Sequence, residues 1–389
     1  MSTALVFRTV VAVGLLSAAC SRDLDSAGTT PESSTTEEVT WKVLAESQDQ
    51  NVYISVPAAA SRGKDAAVAY VERIGDSSTA TSVRVVMQRF DASGERLGSL
   101  AVLGNDSNEY SNVTLASDGK QYAGCWNAAL EVHCSLVDEQ GQVQPDALAI
   151  AGQFATIVAG ASGWALAYSG SDGLVRLQLL TSSLALKGSA LAPQLSAQFA
   201  VDGDSPLFVA TPSGYVLVAS SKEGGEVSLL RLSADLQSVV SASALGRDLW
   251  STGQLVASDT RAAVSLAAPY GSFMLLVDET EVSAELPIAG GGKTGMDEAL
   301  VLTEGGIGAA WLKGEGQVRR HYFADGHDAE IGLETRIPTS NLLSQQEQGT
   351  GSYQQLVKVG TQTLLVARSA LYGYLASGGA IRVATLQFP

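Results

Sequence analysis

The sequence predicts an all-β protein, a seven-bladed β-propeller of four-stranded antiparallel blades closed by an N-terminal strand that completes the last blade. Three observations predict it. From Ala58 onward one pattern returns about every 49 residues: a small, apolar strand core, a turn, a Val- and Arg-rich strand, and an Asp/Gly turn. Repeats of that length built only of short strands are the blades of propellers. Helical periodicity is absent, and the apolar runs have strand length. The last repeat also lacks a fourth strand, and a strand-like segment near the start of the chain lacks a sheet.

Residues 1–19 are expected to be a signal peptide outside the fold. Arg8 gives positive charge, Thr9 to Leu16 is a short apolar run, and Ser17-Ala18-Ala19 are small. Such a run is too short to remain as a membrane span. Residues 20–40 hold Ser, Thr, Glu, Asp, Gly and Pro, with no aromatic residue and only Leu24 as a large aliphatic before Val39. This segment cannot bury enough apolar area to order itself, so it reads as a flexible tether ahead of a propeller at 41–389.

The stretch Leu15-Leu16-Ser17-Ala18-Ala19-Cys20 resembles the lipobox of bacterial lipoproteins. It departs from that pattern in placing Ser17, rather than Leu, three residues before the cysteine. The resemblance implies that Cys20 is lipidated and that the protein is exported and anchored to the bacterial cell envelope, at the outer membrane given Ser21 beside the cysteine. Ordinary cleavage after Ala19 is the alternative, since Ser17 and Ala19 suit that enzyme too.

Composition narrows the partners. The chain carries 24 Lys+Arg against 40 Asp+Glu, a formal net charge of −16. So acidic a chain repels phosphate backbones and anionic headgroups, which argues against nucleic acid and against membrane contact other than through the lipid. About 350 residues would strain one hydrophobic core, whereas repeats pack only on their neighbours.

The blades follow in order. Ala66–Tyr70, Tyr122–Trp126, Trp164–Tyr168, Tyr215–Ser220, Ala262–Ala267, Ile307–Trp311 and the segment around Thr363–Arg368 are nearly continuous apolar runs. They fit strands buried on both faces. Each precedes an outer pattern: Val83–Gly98, Val132–Val143, Val175–Gly188, Val227–Ser238, Phe273–Pro287, Val318–Gly332 and Ile381–Pro389. Val39–Ala45 resembles the fourth strand Leu97–Gly104 and is expected to pair with Ile381–Phe388, which hides two sheet edges.

Alternation of strand direction sorts the loops. Val71–Ser82, Thr339–Ser352 and Ser369–Gly379 are the longest on one face and belong to the last two blades and the first. They carry the candidate binding residues Glu72, Arg73, Asp76, Glu347, Tyr353, Arg368, Tyr372 and Tyr374, with Gln345 and Gln346. Aromatic rings beside Arg and acids suit a peptide, protein or glycan surface.

Three cysteines are an odd number for an exported chain. With Cys20 lipidated, Cys125 and Cys134 remain. If Ala129-Leu130 is a two-residue hairpin loop, these two fall opposite each other with Cα atoms about 4.5 Å apart, within disulfide reach. Two buried thiols are the alternative.

Chemistry is sparse. The three histidines are His133, beside Cys134 on a hairpin strand, and His321 and His327, which bracket Asp325 with Asp328 following; nothing completes a tetrahedral metal set. Asp202-Gly203-Asp204 lacks the remaining calcium ligands. Gly290–Thr294 lacks the upstream phosphate-loop spacing, because residue 287 is Pro287. No catalytic residue, metal or cofactor is assigned. The expectation is a monomeric, non-enzymatic binding or scaffold module of the cell envelope. Its rivals are an extracellular glycan-active enzyme with acids at the pore mouth, and a metal-stabilised adhesin.

Overall fold

The structure is a computed structural model that describes residues 40–47, 52–75, 82–105, 113–191, 197–198, 206–221, 226–246, 251–268, 271–279, 281–283, 286–287, 298–303, 306–313, 317–324, 327–336, 351–369 and 379–388. Residues 1–39, which hold the expected signal peptide, Cys20 and nearly all of the expected tether, lie outside these. Residues Thr35–Pro389 make one compact unit. Every regular element among the described residues is a strand, and all pairings are antiparallel, as in a β-propeller.

The strands form seven sheets. In the first, β2 (Val52–Ile54) and β3 (Ala58–Ser61) both pair with β4 (Ala66–Ile74), followed by β5 (Ser82–Phe90) and β6 (Arg96–Gly104). The second holds β7 (Thr114–Ser117), β8 (Tyr122–Ala128), β9 (Glu131–Val137) and β10 (Val143–Ala151). Four further sheets begin at Gln153, Ala197, Ser251 and Glu298. The closing sheet runs Gly351–Val359, Gln362–Ser369, Gly379–Leu386 and then β1 (Trp41–Ser47).

The second strand of each sheet shows why its sequence is so apolar. In β4, Ala67, Ala69 and Val71 pack toward β8 of the second sheet, while Ala66, Val68 and Tyr70 pack toward Leu364 and Val366 of the closing sheet. Both faces are buried, so the run does not alternate. Close approach selects glycine where sheets meet: the Trp126 ring fills the space a Cβ on Gly104 would need.

The turn between third and fourth strands is built alike in four sheets. Asp91 accepts from the amides of Ser93 (2.8 Å) and Glu95 (3.0 Å), and Asp138 from Gln140 (2.9 Å) and Gln142 (2.8 Å). The fourth residue of each turn donates to the first and takes a positive φ: Gly94, Gly141, Leu184 and Leu236. Leucine is costly in that conformation. Leu184 and Leu236 are buried in the inter-sheet core, which offsets the strain.

The expected closure is present with shifted ends. The strand is Trp41–Ser47, not Val39–Ala45, and Trp41 pairs with Ala384 and Ser47 with Gly379. A bulge between Val43 and Ala45 places Leu44 and Ala45 together in the core shared with the first sheet.

Candidate functional site

The seam where the closing sheet meets the first sheet brings together two of the eight candidate residues. Arg73 lies on β4 opposite Tyr53 of β2, and its guanidinium carbon is 5.7 Å from the Tyr53 ring centre. Arg368, near the end of Gln362–Ser369, lies 5.1 Å from the same ring. Both arginines are almost fully buried, at 4% and 2% exposure, while Tyr53 is half-buried. An aromatic face attracts a guanidinium through its quadrupole, and burial strengthens that attraction. Two cations some 295 positions apart in sequence thus share one ring.

Glu72 is engaged nearby. It accepts from Arg84 Nε at 2.6 Å and from the Tyr70 hydroxyl at 3.3 Å. Burial, and then Glu72, push the Tyr70 hydroxyl above its usual range. Tyr70, Glu72 and Arg84 share one face of the first sheet, by the alternation of β4 and the Glu72–Arg84 pairing.

The sequence placed these groups on loops, and the structure corrects that. Glu72, Arg73 and Arg368 are ladder residues, paired with Arg84, Val83 and Ile381. Strands continue through charged residues wherever a partner strand keeps the register, so charge alone does not mark a loop. Tyr353 also lies on a strand, Gly351–Val359, with its side chain outside the description. Asp76, Glu347, Tyr372 and Tyr374 lie outside the described residues, as do Gln345, Gln346, Asp202–Asp204 and Gly290–Thr294. Tyr53 was missed because Val52-Tyr53-Ile54 is only three residues long and precedes the first repeat. Its one sequence signal is that compact β-branched and aromatic run.

The disulfide forms as the hairpin geometry predicts. Cys125 and Cys134 face each other on β8 and β9 with Cα atoms 4.1 Å apart, beneath the loop Ala129-Leu130. Ala129 has φ 53°, and the loop is pinned by Gly152 N to Leu130 O (2.9 Å) and Gln153 Nε2 to Ala129 O (3.2 Å). His133 stacks on Trp126, ring centres 6.0 Å apart, with Nε2 3.4 Å from Glu131. The imidazole is packed as part of the sheet.

The opposite end of the first two sheets holds a buried ionic network. Asp65 accepts from Arg62 (2.9 and 2.7 Å), from Arg89 (2.9 Å) and from the Tyr122 hydroxyl (2.9 Å). Burial by itself would push the Asp65 carboxyl up, but bonds from Arg62, Arg89 and Tyr122 outweigh it and hold the group below its usual range. Arg231 does similar work between the fourth and fifth sheets, donating to the carbonyls of Ser258 (3.0 Å), Asp259 (2.8 Å) and Thr260 (2.9 Å).

Three polar side chains of the inner strands reach across to a neighbouring sheet. Gln355 accepts from Ala59 N, Gln254 accepts from Leu300 N (3.1 Å), and Thr156 donates to Pro206 O (2.6 Å). Among the described inner strands the charged residues are Glu298 and Lys358. No group of three or more His, Cys, Asp or Glu among the described residues is arranged to hold a metal. His327 opens a strand opposite Ala324, and the side chains of His321, His327 and Asp328 lie outside the description.

No family model and no curated protein matches this chain. Solved propellers do. The β-propeller domain of Cps50 (Swd1) from Myceliophteria thermophila is 11% identical with a TM-score of 0.51, covering 90% of this chain and 100% of that one. The Dos1 propeller is 9% identical with a TM-score of 0.47, covering 88% and 95%. A subtype N11 neuraminidase-like protein of A/flat-faced bat/Peru/033/2010 is 9% identical with a TM-score of 0.47, covering 92% and 97%. At such identity the likeness shows the fold alone: this is a β-propeller protein.

Proposed function

We propose that the chain is an exported, Cys20-lipidated protein of the bacterial cell envelope, anchored at the outer membrane, whose propeller is a non-enzymatic binding module. Its ligand is a protein, peptide or glycan at the cell surface. The observation that carries this reading is Tyr53, a partly exposed ring held from beneath by the buried guanidinium groups of Arg73 and Arg368. Aromatic and arginine side chains are the types enriched at recognition surfaces. The Cys125–Cys134 disulfide suits an oxidising compartment. The inner strands touch in cyclic order, and the last touches the first, which supports reading the seven sheets as seven blades of one closed ring.

Two experiments test it. Labelling with a radioactive fatty acid should mark the wild type and not Cys20→Ser, and equal labelling would remove the anchor. Defined glycans and peptides should include a ligand held at least about tenfold more weakly by Tyr53→Ala. Unchanged binding, or hydrolysis of the bound glycan, would overturn the proposed role.

A further inference from the structure

The strand that shuts the ring and the strand that carries Tyr53 are neighbours in the chain. Only residues 48–51 separate Ser47, the end of β1, from Val52, the start of β2. Their Cα atoms can therefore lie no more than about 18 Å apart. β1 belongs to the closing sheet and β2 to the first, so consecutive strands of the chain stand on the two sides of the seam.

Both strands lie at the edges of their sheets. β1 is an edge strand whose ladder, to Gly379–Leu386, is interrupted at the bulge. Among the described residues its polar ties beyond that ladder include an exposed Lys42–Glu95 pair (2.6 Å) and a bond from Arg96 Nε to Val43 O (3.2 Å). Arg382 approaches Glu46 only to 3.8 Å, and its buried Nε has no hydrogen-bond partner among the described residues. β2 has a three-residue ladder to β4, from Val52–Ile74 to Ile54–Glu72, and a break before β3. Segments with few ladder bonds are the ones that open locally.

The two attachments also meet through Arg368. Ala45, Ile381 and Arg368 stand in one row across the closing sheet, by the pairings Ala45–Ile381 and Arg368–Ile381. Arg368 reaches from that row to Tyr53 on β2. Loss of β1 removes the outer member of the row and pulls on the chain that holds the ring.

We propose that β1 and β2 form one latch: release of β1 from Gly379–Leu386 withdraws Tyr53 from Arg73 and Arg368, so ring closure and the shape of the seam are a single equilibrium. The inference goes beyond the binding reading and needs no ligand. Where a ligand grips Tyr53, linkage makes it hold β1 in place, and release of β1 weakens the ligand's grip by the same factor.

Hydrogen exchange of the full chain, carrying Cys20→Ser, tests this. Segments 41–47, 52–54 and 379–386 should lose protection together, at least about tenfold faster than β8. A disulfide between Glu46→Cys and Ala380→Cys, which face each other across the ladder, should slow all three by a common factor, with Glu46→Cys alone as the control. A second variant, Gly94→Ala, crowds Val383 and Lys42 and should speed exchange in 41–47 and 52–54 while leaving β8 unchanged. Exchange in 52–54 that ignores both changes, or β1 exchanging only together with β8, would overturn the latch.

Discussion

The first sheet meets one neighbour on each face, and the two seams are built from different materials. Toward the second sheet, its successor in the chain, Asp65 takes Arg62, Arg89 and Tyr122 in a largely buried network. Toward the closing sheet there is apolar packing, the β1 ladder, a backbone bond from Gly360 N to Gly63 O (2.6 Å) and an exposed Lys42–Glu95 pair. Buried charge locks its seam because removing one partner strands the others. Exposed pairs contribute about 1 kcal/mol at most. The seam between consecutive sheets is therefore the stiffer, and the one joining the two ends of the chain is the one that can open. Arg73 and Arg368, two of the candidate binding residues, meet Tyr53 at the second kind.

The contrast can be broken by substitution. Asp65→Asn should cost about 3 kcal/mol of unfolding free energy, read by urea titration, since it leaves buried guanidinium groups without their carboxylate. A cost under about 1 kcal/mol would make the two seams equivalent. The same group gives a pH signature. Its folded carboxyl titrates below the unfolded value near 3.9, so the contribution is complete above that pH and is lost as pH falls through the lower folded value. Asp65→Asn should flatten that acid limb of the stability curve.

Gly94→Ala should cost about 2 kcal/mol, because φ there is 82° and an added Cβ would lie 2.8 Å from Val383. Its effect belongs to the closing seam and should add to that of Asp65→Asn within about 0.5 kcal/mol in the double variant. Gln355→Leu removes the acceptor of Ala59 N at the inner edge of the closing seam and should cost about 1 kcal/mol. Lys42→Ala should change stability by less than about 0.5 kcal/mol and lose even that at high salt. A larger loss there would show that the closing seam depends on charge after all.

What could be read in advance follows from how local each determinant is. The seven apolar second strands were legible because burial on both faces leaves a continuous signature, as in Ala66–Tyr70. Cys125 and Cys134 were legible because hairpin register is arithmetic once a two-residue loop is assumed. Leu184 and Leu236 were not: their positive φ repeats what Gly94 and Gly141 do openly, and only the core around them explains a leucine there. Glu72 and Arg73 read as loop because charge is rare in buried strands, yet their ladder partners decide otherwise. Asp65 and Tyr53 act through residues 24 to 315 positions away in sequence, at Arg89, Tyr122 and Arg368. No local pattern encodes such meetings.

The pairing of Trp41 with Ala384 has a practical corollary. The start of β1 and the end of Gly379–Leu386 lie side by side, about 4.8 Å apart. A reporter fused after Pro389 would emerge at the rim of the closing sheet where Trp41 begins β1. The hairpin tip at Leu130, 72% exposed, offers a different graft point. A circular permutant opened there would carry its cargo away from the rim, with the native ends spliced by a short linker.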